Sequence, residues 1–251
     1  MPKRLLEGKT ALVTGGGRGL GRAIALGYAS EGARVVVSSR TASEVERTVE
    51  AVKDIGGEAM GIAADLSNYE EAERVVEEIE AKYGALDIVF LNAGGAIDSA
   101  RLPIESVDVE AWRRTIDANL YTALNVGKAS IPLLKRSDNA KILTMGSGMG
   151  RKPDLRTSAY SAAKAALWML TQALAIELAE YGITVNEMIP GPVKANVPEG
   201  ERFESYIIAE GGWQNEWMKE AKDVVPMAVF LASQGPNGPS GQSFALNRRL
   251  L

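Results

Sequence analysis

Thr14-Gly15-Gly16-Gly17-Arg18-Gly19-Leu20-Gly21 closes a short apolar run that begins at Thr10 and opens a helical pattern from about Leu20 to Ser30. Glycines at such a turn let the chain reverse sharply and let backbone N–H groups at the helix start approach an anion, where the helix dipole adds attraction. Alone, the turn is equally an ordinary strand-to-helix connection. What decides the fold is the recurrence of the same unit outward from it. ARVVVSS is followed by a helical pattern from Ser43 to Ile55, EAMGIAADL by the charged amphipathic stretch Tyr69 to Tyr83, and ALDIVFLNAG by a long helical region near Val109 to Lys135. AKILTMGSG precedes an Ala-rich stretch from Ser158 to Tyr181, ITVNEMIPG comes before a helix near Asp223 to Ala232, and a last strand lies around QSFAL. This alternation predicts an α/β fold: a doubly wound, mostly parallel sheet of about seven strands with helices on both faces. The strands read as near-continuous apolar runs, the pattern of strands buried on both faces.

At 251 residues and 46% hydrophobic content the chain can build one continuous core, and no linker, repeat or low-complexity segment divides it. The expectation is one domain over residues 1–251. The stretch from about 193 to 222 stands outside the alternation and concentrates Phe203, Tyr206, Ile207, Ile208, Trp213, Trp217 and Met218. It is a candidate substrate lid, with a surface excursion packed on the core or on another subunit as the plainer alternative. A net charge of −4 argues against a broad nucleic-acid footprint and favours a small-molecule partner. The chain has no cysteine and no histidine, so acid/base chemistry falls to Tyr, Lys, Asp or Glu. The opening MPKRLLEGKTALVTG reaches a glycine turn before any signal-peptide core develops, and no later apolar run has membrane-spanning length, so a cytoplasmic location is expected.

The second strand ends Val37-Ser38-Ser39-Arg40, with no carboxylate to accept hydrogen bonds from an adenosine ribose. Ser39 can donate to a 2′-phosphate and the Arg40 guanidinium can pair with its oxygens, with Arg18 closing from the glycine turn. This pattern favours NADP(H) over NAD; solvated surface arginines are the alternative. Asp65-Leu66 follows the third strand, where Asp65 or Ser67 could also serve the start of the next helix.

Among seven tyrosines only Tyr160 is followed four residues later by lysine, Lys164, placing both on one helix face. An ammonium beside a phenol favours phenolate and is expected to lower the tyrosine pKa from about 10. Ser147 lies at the C-terminal end of a strand, Asn92-Ala93-Gly94 follows another at the same edge, Asn119 sits in the preceding long helix, and Pro190-Gly191-Pro192-Val193 follows the sixth strand. Individually these are also turn formers, a helix-interior hydrogen-bonder and loop punctuation.

Together TGGGRGLG, NAG, Asn119, Ser147, Tyr160 with Lys164, and PGPV resemble the short-chain dehydrogenase/reductase family from one end of the chain to the other. The resemblance implies a Rossmann-like fold and an NADP(H) site built from Gly15, Arg18, Gly19, Leu20, Gly21, Ser39, Arg40, Asp65, Leu66, Asn92, Ala93, Gly94, Pro190, Gly191 and Val193. It implies that Asp65 and Leu66 fix the adenine, Tyr160 exchanges a proton with the substrate oxygen, and Ser147 positions that oxygen. Lys164 would hold the nicotinamide ribose and depress the tyrosine pKa, and Asn119 would anchor a water in a proton relay, with no metal required. Two departures stand out: Leu91 where many relatives carry asparagine, and an Asn247-Arg248-Arg249 ending in place of Asp-Gly-Gly.

The function this implies is interconversion of a ketone or aldehyde with its alcohol, a carbonyl reductase. A narrower alternative is a 3-oxoacyl-carrier-protein reductase, which needs a basic docking surface for which Arg151, Lys152 and Arg156 are candidates. A different class is a non-catalytic NADP-binding regulator. The resemblance further implies a homotetramer or homodimer through the long helices around Asn119 and Tyr160, with Trp168 and Leu174 as apolar residues beyond one monomer's core.

Overall fold

A computed structural model of the chain describes residues 4–95, 100–194, 207–208 and 216–247. The elements alternate as β1 (Thr10–Thr14), α1 (Gly19–Ser30), β2 (Arg34–Ser39), α2 (Ala42–Asp54), β3 (Glu58–Ala63), α3 (Tyr69–Tyr83) and β4 (Ile88–Leu91). There follow α4 (Val109–Ile116), α5 (Thr122–Leu134), β5 (Lys141–Met145), α6 (Ser158–Glu177) and β6 (Thr184–Ile189). The short strands β7 (Val193–Lys194), β8 (Ile207–Ile208), β9 (Glu216–Trp217) and β10 (Lys219–Glu220) precede α7 (Val225–Ser233) and β11 (Ser243–Ala245).

Seven strands form the central sheet in the order β11-β6-β5-β4-β1-β2-β3, every neighbouring pair parallel. Side chains alternate between its faces. Leu12, Val36, Val89, Ile142 and Val185 join one apolar cluster, whereas Ala11, Val13, Val35, Val37, Ile88, Phe90 and Leu143 join the other. Two sealed faces suit the apolar runs of β1, β2, β4 and β5, while β6 buries Asn186 and Glu187 among its apolar residues. The edge departs from that expectation. β3 has a neighbour on one side only, and Glu58, Gly61 and Ala63 are exposed.

The long region from Val109 to Lys135 is not one uniform helix: a π-helical turn, Asp117–Tyr121, interrupts it between α4 and α5. A π turn admits one extra residue and redirects the side chains it carries, which here include Asn119. The pattern from Ser158 to Tyr181 likewise ends as α helix at Glu177, and its last turn, Ala179–Tyr181, is 3-10. The cap of α3 is Asn68, whose side chain accepts from Glu70 N at 2.9 Å. Asp65, a candidate for that cap, instead accepts from Ser67 N (3.1 Å) and Ser67 Oγ (2.7 Å), closing a local turn.

Most of the candidate lid, including Phe203, Tyr206 and Trp213, lies outside the described residues. At its base β7 pairs in parallel with β10, Val193 opposite Lys219, and β8 pairs antiparallel with β9. No helix among the described residues is long and apolar enough to cross a membrane.

Candidate active site

The chain leaves β3 at one edge and returns to β4 beside β1, so the sheet opens a crevice where β1 and β4 end together. Thr14, the last residue of β1, ties this point. Its Oγ1 donates to Phe90 O (3.3 Å) and accepts from the N–H groups of Asn92 and Ala93 (both 3.0 Å). The Asn92 amide donates to Thr14 O at 2.9 Å and to Gly15 O at 3.3 Å. Thr14 was not a candidate from sequence, because its partners lie more than seventy residues away. Leu91 is buried in the core, and the side chain of Asn92 serves the turn.

The glycine turn is close-packed. Gly15 and Gly19 have φ of +62° and +54°, conformations that favour glycine. A Cβ on Gly15 would stand 2.9 Å from Ala93 Cα, and one on Gly21 would collide with Gly15 O and stand 2.5 Å from Asn92 Nδ2. Gly21→Ala is therefore expected to cost roughly 1–3 kcal/mol of stability, as overpacking does. It should also weaken cofactor binding, because the displaced group is the turn itself. Thermal unfolding and calorimetric titration with NADPH check this; an unchanged midpoint and affinity would show that the turn relaxes freely.

One continuous cleft runs past this turn. It gathers Gly15, Arg18, Gly19, Leu20 and Gly21 with Ser39, Arg40, Asp65, Leu66, Asn92, Ala93 and Gly94, and reaches Tyr160 and Lys164. A second cavity, of about 440 Å³, shares Leu20 and Tyr160 with it and adds Ser147, Pro190, Gly191 and Val193. All the sequence candidates except Asn119 thus line one of two adjoining spaces. The residues fit a nicotinamide dinucleotide: the turn has room only for hydrogen at Gly15 and Gly21, and Ser39 Oγ, at the far end, is buried without a hydrogen-bond partner. Glu44 also lines that end, 3.9 Å from Arg18, a neighbour the sequence did not single out.

Asn119 is fully buried behind the crevice. Its Nδ2 donates to Gly95 O and Thr115 O, both at 2.8 Å, and its Oδ1 accepts from Gly95 N at 3.0 Å. With both amide protons committed, the side chain works as a brace for the loop after β4. Gly94 is required there, since a Cβ would collide with Asn119 Oδ1.

Ser147 follows β5 and caps a 3-10 turn, Gly148–Gly150, accepting from Met149 N at 3.2 Å. Tyr160 and Lys164 both project from α6, with Lys164 Nζ 5.6 Å from the centre of the Tyr160 ring. The expected depression of the tyrosine pKa does not hold. Burial raises Tyr160 above its ordinary value, opposed by a hydrogen bond with Ser147 and by the charge of Arg101. Lys164 is buried, its Nζ donates to Met145 O at 2.9 Å, and desolvation lowers its pKa to about 8, opposed by Glu187. A desolvated ammonium directed at a backbone carbonyl does little to draw the phenol toward phenolate.

Glu187 is another residue that sequence reading missed. It is fully buried on β6 and forms a bidentate pair with Arg151, Nη1–Oε1 3.2 Å and Nη2–Oε2 2.5 Å. Ser243 Oγ on β11 donates to Glu187 Oε2 at 2.5 Å, and the Arg151 guanidinium lies 4.2 Å from the centre of the Trp168 ring. One ion pair thus joins the Ser147 loop, α6, β6 and β11. Arg151 is thereby withdrawn from any basic docking surface, contrary to its candidacy there.

An open cleft at a topological switch point, ended by a hydroxyl pair and a buried lysine, is the arrangement a nucleotide-dependent oxidoreductase needs. Residues 9–204 match the short chain dehydrogenase family. The 3-oxoacyl-(acyl-carrier-protein) reductase FabG of Escherichia coli (strain K12) is 34% identical over 250 residues, covering 96% of each chain. Galactitol 2-dehydrogenase of Agrobacterium fabrum is 31% identical over 245 residues, covering 91% of each. A short-chain type dehydrogenase/reductase from Mycobacterium marinum superposes with a TM-score of 0.82 at 24% identity, over 96% of this chain and 94% of that one, and so shares the fold. The protein belongs to the short-chain dehydrogenase/reductase family and is an oxidoreductase acting on alcohol or carbonyl groups with a nicotinamide cofactor. The reading as a non-catalytic regulator gives way to that membership.

Proposed function

We propose that the protein is an NADP(H)-dependent enzyme interconverting a ketone or aldehyde and the corresponding alcohol, with Tyr160 as acid/base. The observation that carries this reading is the lining of one cavity by Ser147 and Tyr160, with Lys164 buried on the adjoining cleft. Bound in that cleft, the cofactor supplies or accepts the hydride. In reduction the Tyr160 hydroxyl donates its proton to the carbonyl oxygen, while Ser147 Oγ holds that oxygen by a hydrogen bond; in oxidation the tyrosine takes the proton back. Lys164 and Tyr160 would hold the nicotinamide ribose end, and Pro190, Gly191 and Val193, which line the cavity, would form the wall beside it. Asn119 keeps the Asn92–Gly95 loop in register.

Preference for the 2′-phosphate is supported by the orphaned Ser39 hydroxyl and by Arg40 and Arg18 on the same cleft; Glu44, a carboxylate lining that end 3.9 Å from Arg18, works against it. Arg40→Asp is expected to lower NADPH affinity about tenfold, the equivalent of one charge-assisted hydrogen bond, and to shift preference toward NADH. Titration with both cofactors checks this; equal NADPH affinity in wild type and variant would sink the assignment.

The segment from about 193 to 222 is proposed as a substrate lid, since Met218 within it lines the cavity. Association into a homodimer or homotetramer is supported by exposed apolar residues at the long helices, Tyr121, Leu124, Met169 and Ile176. Of the two residues expected to lie beyond one monomer's core, Leu174 is buried in that core, whereas Trp168 is half-buried with the Arg151 guanidinium over its ring. Against the carrier-protein alternative, one of its three candidate docking cations is consumed by Glu187.

A further inference from the structure

The cavity that holds Ser147 and Tyr160 has an uneven charge. Its walls are largely apolar, and among the described residues its lining includes no aspartate or glutamate, although acidic residues outnumber basic ones in the chain, 32 to 28. Among the same residues the arginines that line it are Arg101 and Arg156. Among the described residues neither guanidinium has an ion-pair or hydrogen-bond partner, in contrast to Arg74, Arg136 and Arg151. Arg101 acts on the reacting centre directly, since its charge opposes the upward shift of the Tyr160 pKa.

Arg156 is held at a backbone cost. Its φ of +58° makes it the one non-glycine residue in the left-handed region among the described residues. Such a conformation costs of order 1–3 kcal/mol and persists only where its surroundings over-determine it. The surroundings do: Asp154 N donates to Thr157 Oγ1 (3.1 Å), Thr157 Oγ1 donates to Asp154 O (2.7 Å), and Leu155 N donates to Asp154 Oδ1 (2.7 Å). This turn delivers Arg156 to the cavity just ahead of α6, which carries Tyr160. A neutral polyol would make no use of either guanidinium.

We infer that the substrate is a small oxo acid or hydroxy acid, whose anionic group is held by Arg101 and Arg156 while its carbonyl or hydroxyl oxygen meets Tyr160 and Ser147. Guanidinium groups recognise carboxylate and phosphate alike, through paired N–H donors, and gain strength beside apolar walls. In reduction the carbonyl carbon accepts hydride from the reduced nicotinamide, which is oxidised, and the oxygen accepts the Tyr160 proton, leaving the hydroxy acid. The inference rests on the proposed function for its reacting end, but the anion site itself can be read without turnover.

The test pairs charged and neutral probes of one skeleton: acetoacetate and 4-oxopentanoate against their methyl esters, and dihydroxyacetone phosphate against dihydroxyacetone. Steady-state rates with NADPH and calorimetric binding are measured on wild type, Arg101→Gln and Arg156→Gln. The expected result is at least a tenfold higher kcat/KM for the charged member of one pair, the carboxylate or phosphate arm naming the source. Each substitution should lower the preference for that member over its neutral partner about tenfold, through a higher KM for the charged member; Arg101→Gln should in addition change the turnover of both members alike, because its charge acts on Tyr160. Equal or better use of the neutral probes, indifference to both substitutions, or turnover confined to carrier-bound thioesters would overturn the inference and leave the proposed function standing. Arginine-dependent binding of the anions without turnover of any probe would do the reverse, preserving the anion site and removing the oxidoreductase reading; absence of both binding and turnover overturns both.

Discussion

Tyr160→Phe is expected to bind NADPH nearly as tightly as the wild type and to lose roughly 10²- to 10⁴-fold in turnover, the range for removal of a general acid. Phenylalanine keeps the ring and its packing on α6 and deletes the hydroxyl that Ser147 engages. A loss confined to turnover locates the residue at the chemical step. The pH profile adds a second reading. Alcohol oxidation needs the deprotonated phenol and carbonyl reduction the protonated one, so oxidation should rise with pH and reduction fall. Burial raises the Tyr160 pKa, which places this limb on the alkaline side. Lys164, lowered to about 8, loses its charge earlier as pH rises. An inflection near pH 8 that survives in the residual activity of Tyr160→Phe therefore belongs to Lys164, while the higher limb should vanish with the hydroxyl. Wild-type turnover in the variant, with the same limb, would show that another group carries the proton.

The largest effect on stability is expected at Arg151. Replacing it by leucine leaves the Glu187 carboxylate fully buried with only Ser243 as a donor, and breaking a buried pair in this way costs about 3–5 kcal/mol. Glu187→Leu should cost less, because the Arg151 side chain keeps 15% of its surface in water and can turn outward. The double variant Arg151→Leu/Glu187→Leu should recover most of the loss, since an apolar pair of similar volume removes the desolvation burden along with the attraction. Denaturant unfolding of the three variants measures the coupling. Additive losses would show that the pair does not act as a unit. Gly146 belongs to the same arrangement: a Cβ there would collide with Glu187 Oε1, so Gly146 is the gap that admits the carboxylate.

The strand and helix rhythm was legible from sequence because it is local. Periodicity places Tyr69–Tyr83 to the residue, and both α1 and α2 within one. The glycine turn and the Tyr160–Lys164 spacing are local as well, since one turn of backbone sets what they can do. Contacts between distant segments could not be read in that way. Thr14 meets Asn92 across 78 positions, Arg151 meets Glu187 across 36, and Asn119 meets Gly95 across 24. Nothing in the neighbourhood of any of these residues announces its partner. The chain order also does not say which strand becomes an edge, so the exposed side of β3 emerged only with the sheet.

The environment of Tyr160 shows the division most clearly. Spacing alone put an ammonium one turn away and predicted a more acidic phenol. Packing buried both groups, turned Lys164 toward Met145 and brought Arg101 to the phenol from another part of the chain, so desolvation outweighed the neighbouring charge. Residue types and their spacing along an element specify which chemical groups are present and which share a face, because bonded geometry transmits that information over a few residues. The dielectric around those groups, and the charges that reach them from other segments, exist only once the sheet has assembled. That assembly decided the protonation behaviour of Tyr160 and Lys164, the burial of Glu187 and the unpaired arginines at the cavity.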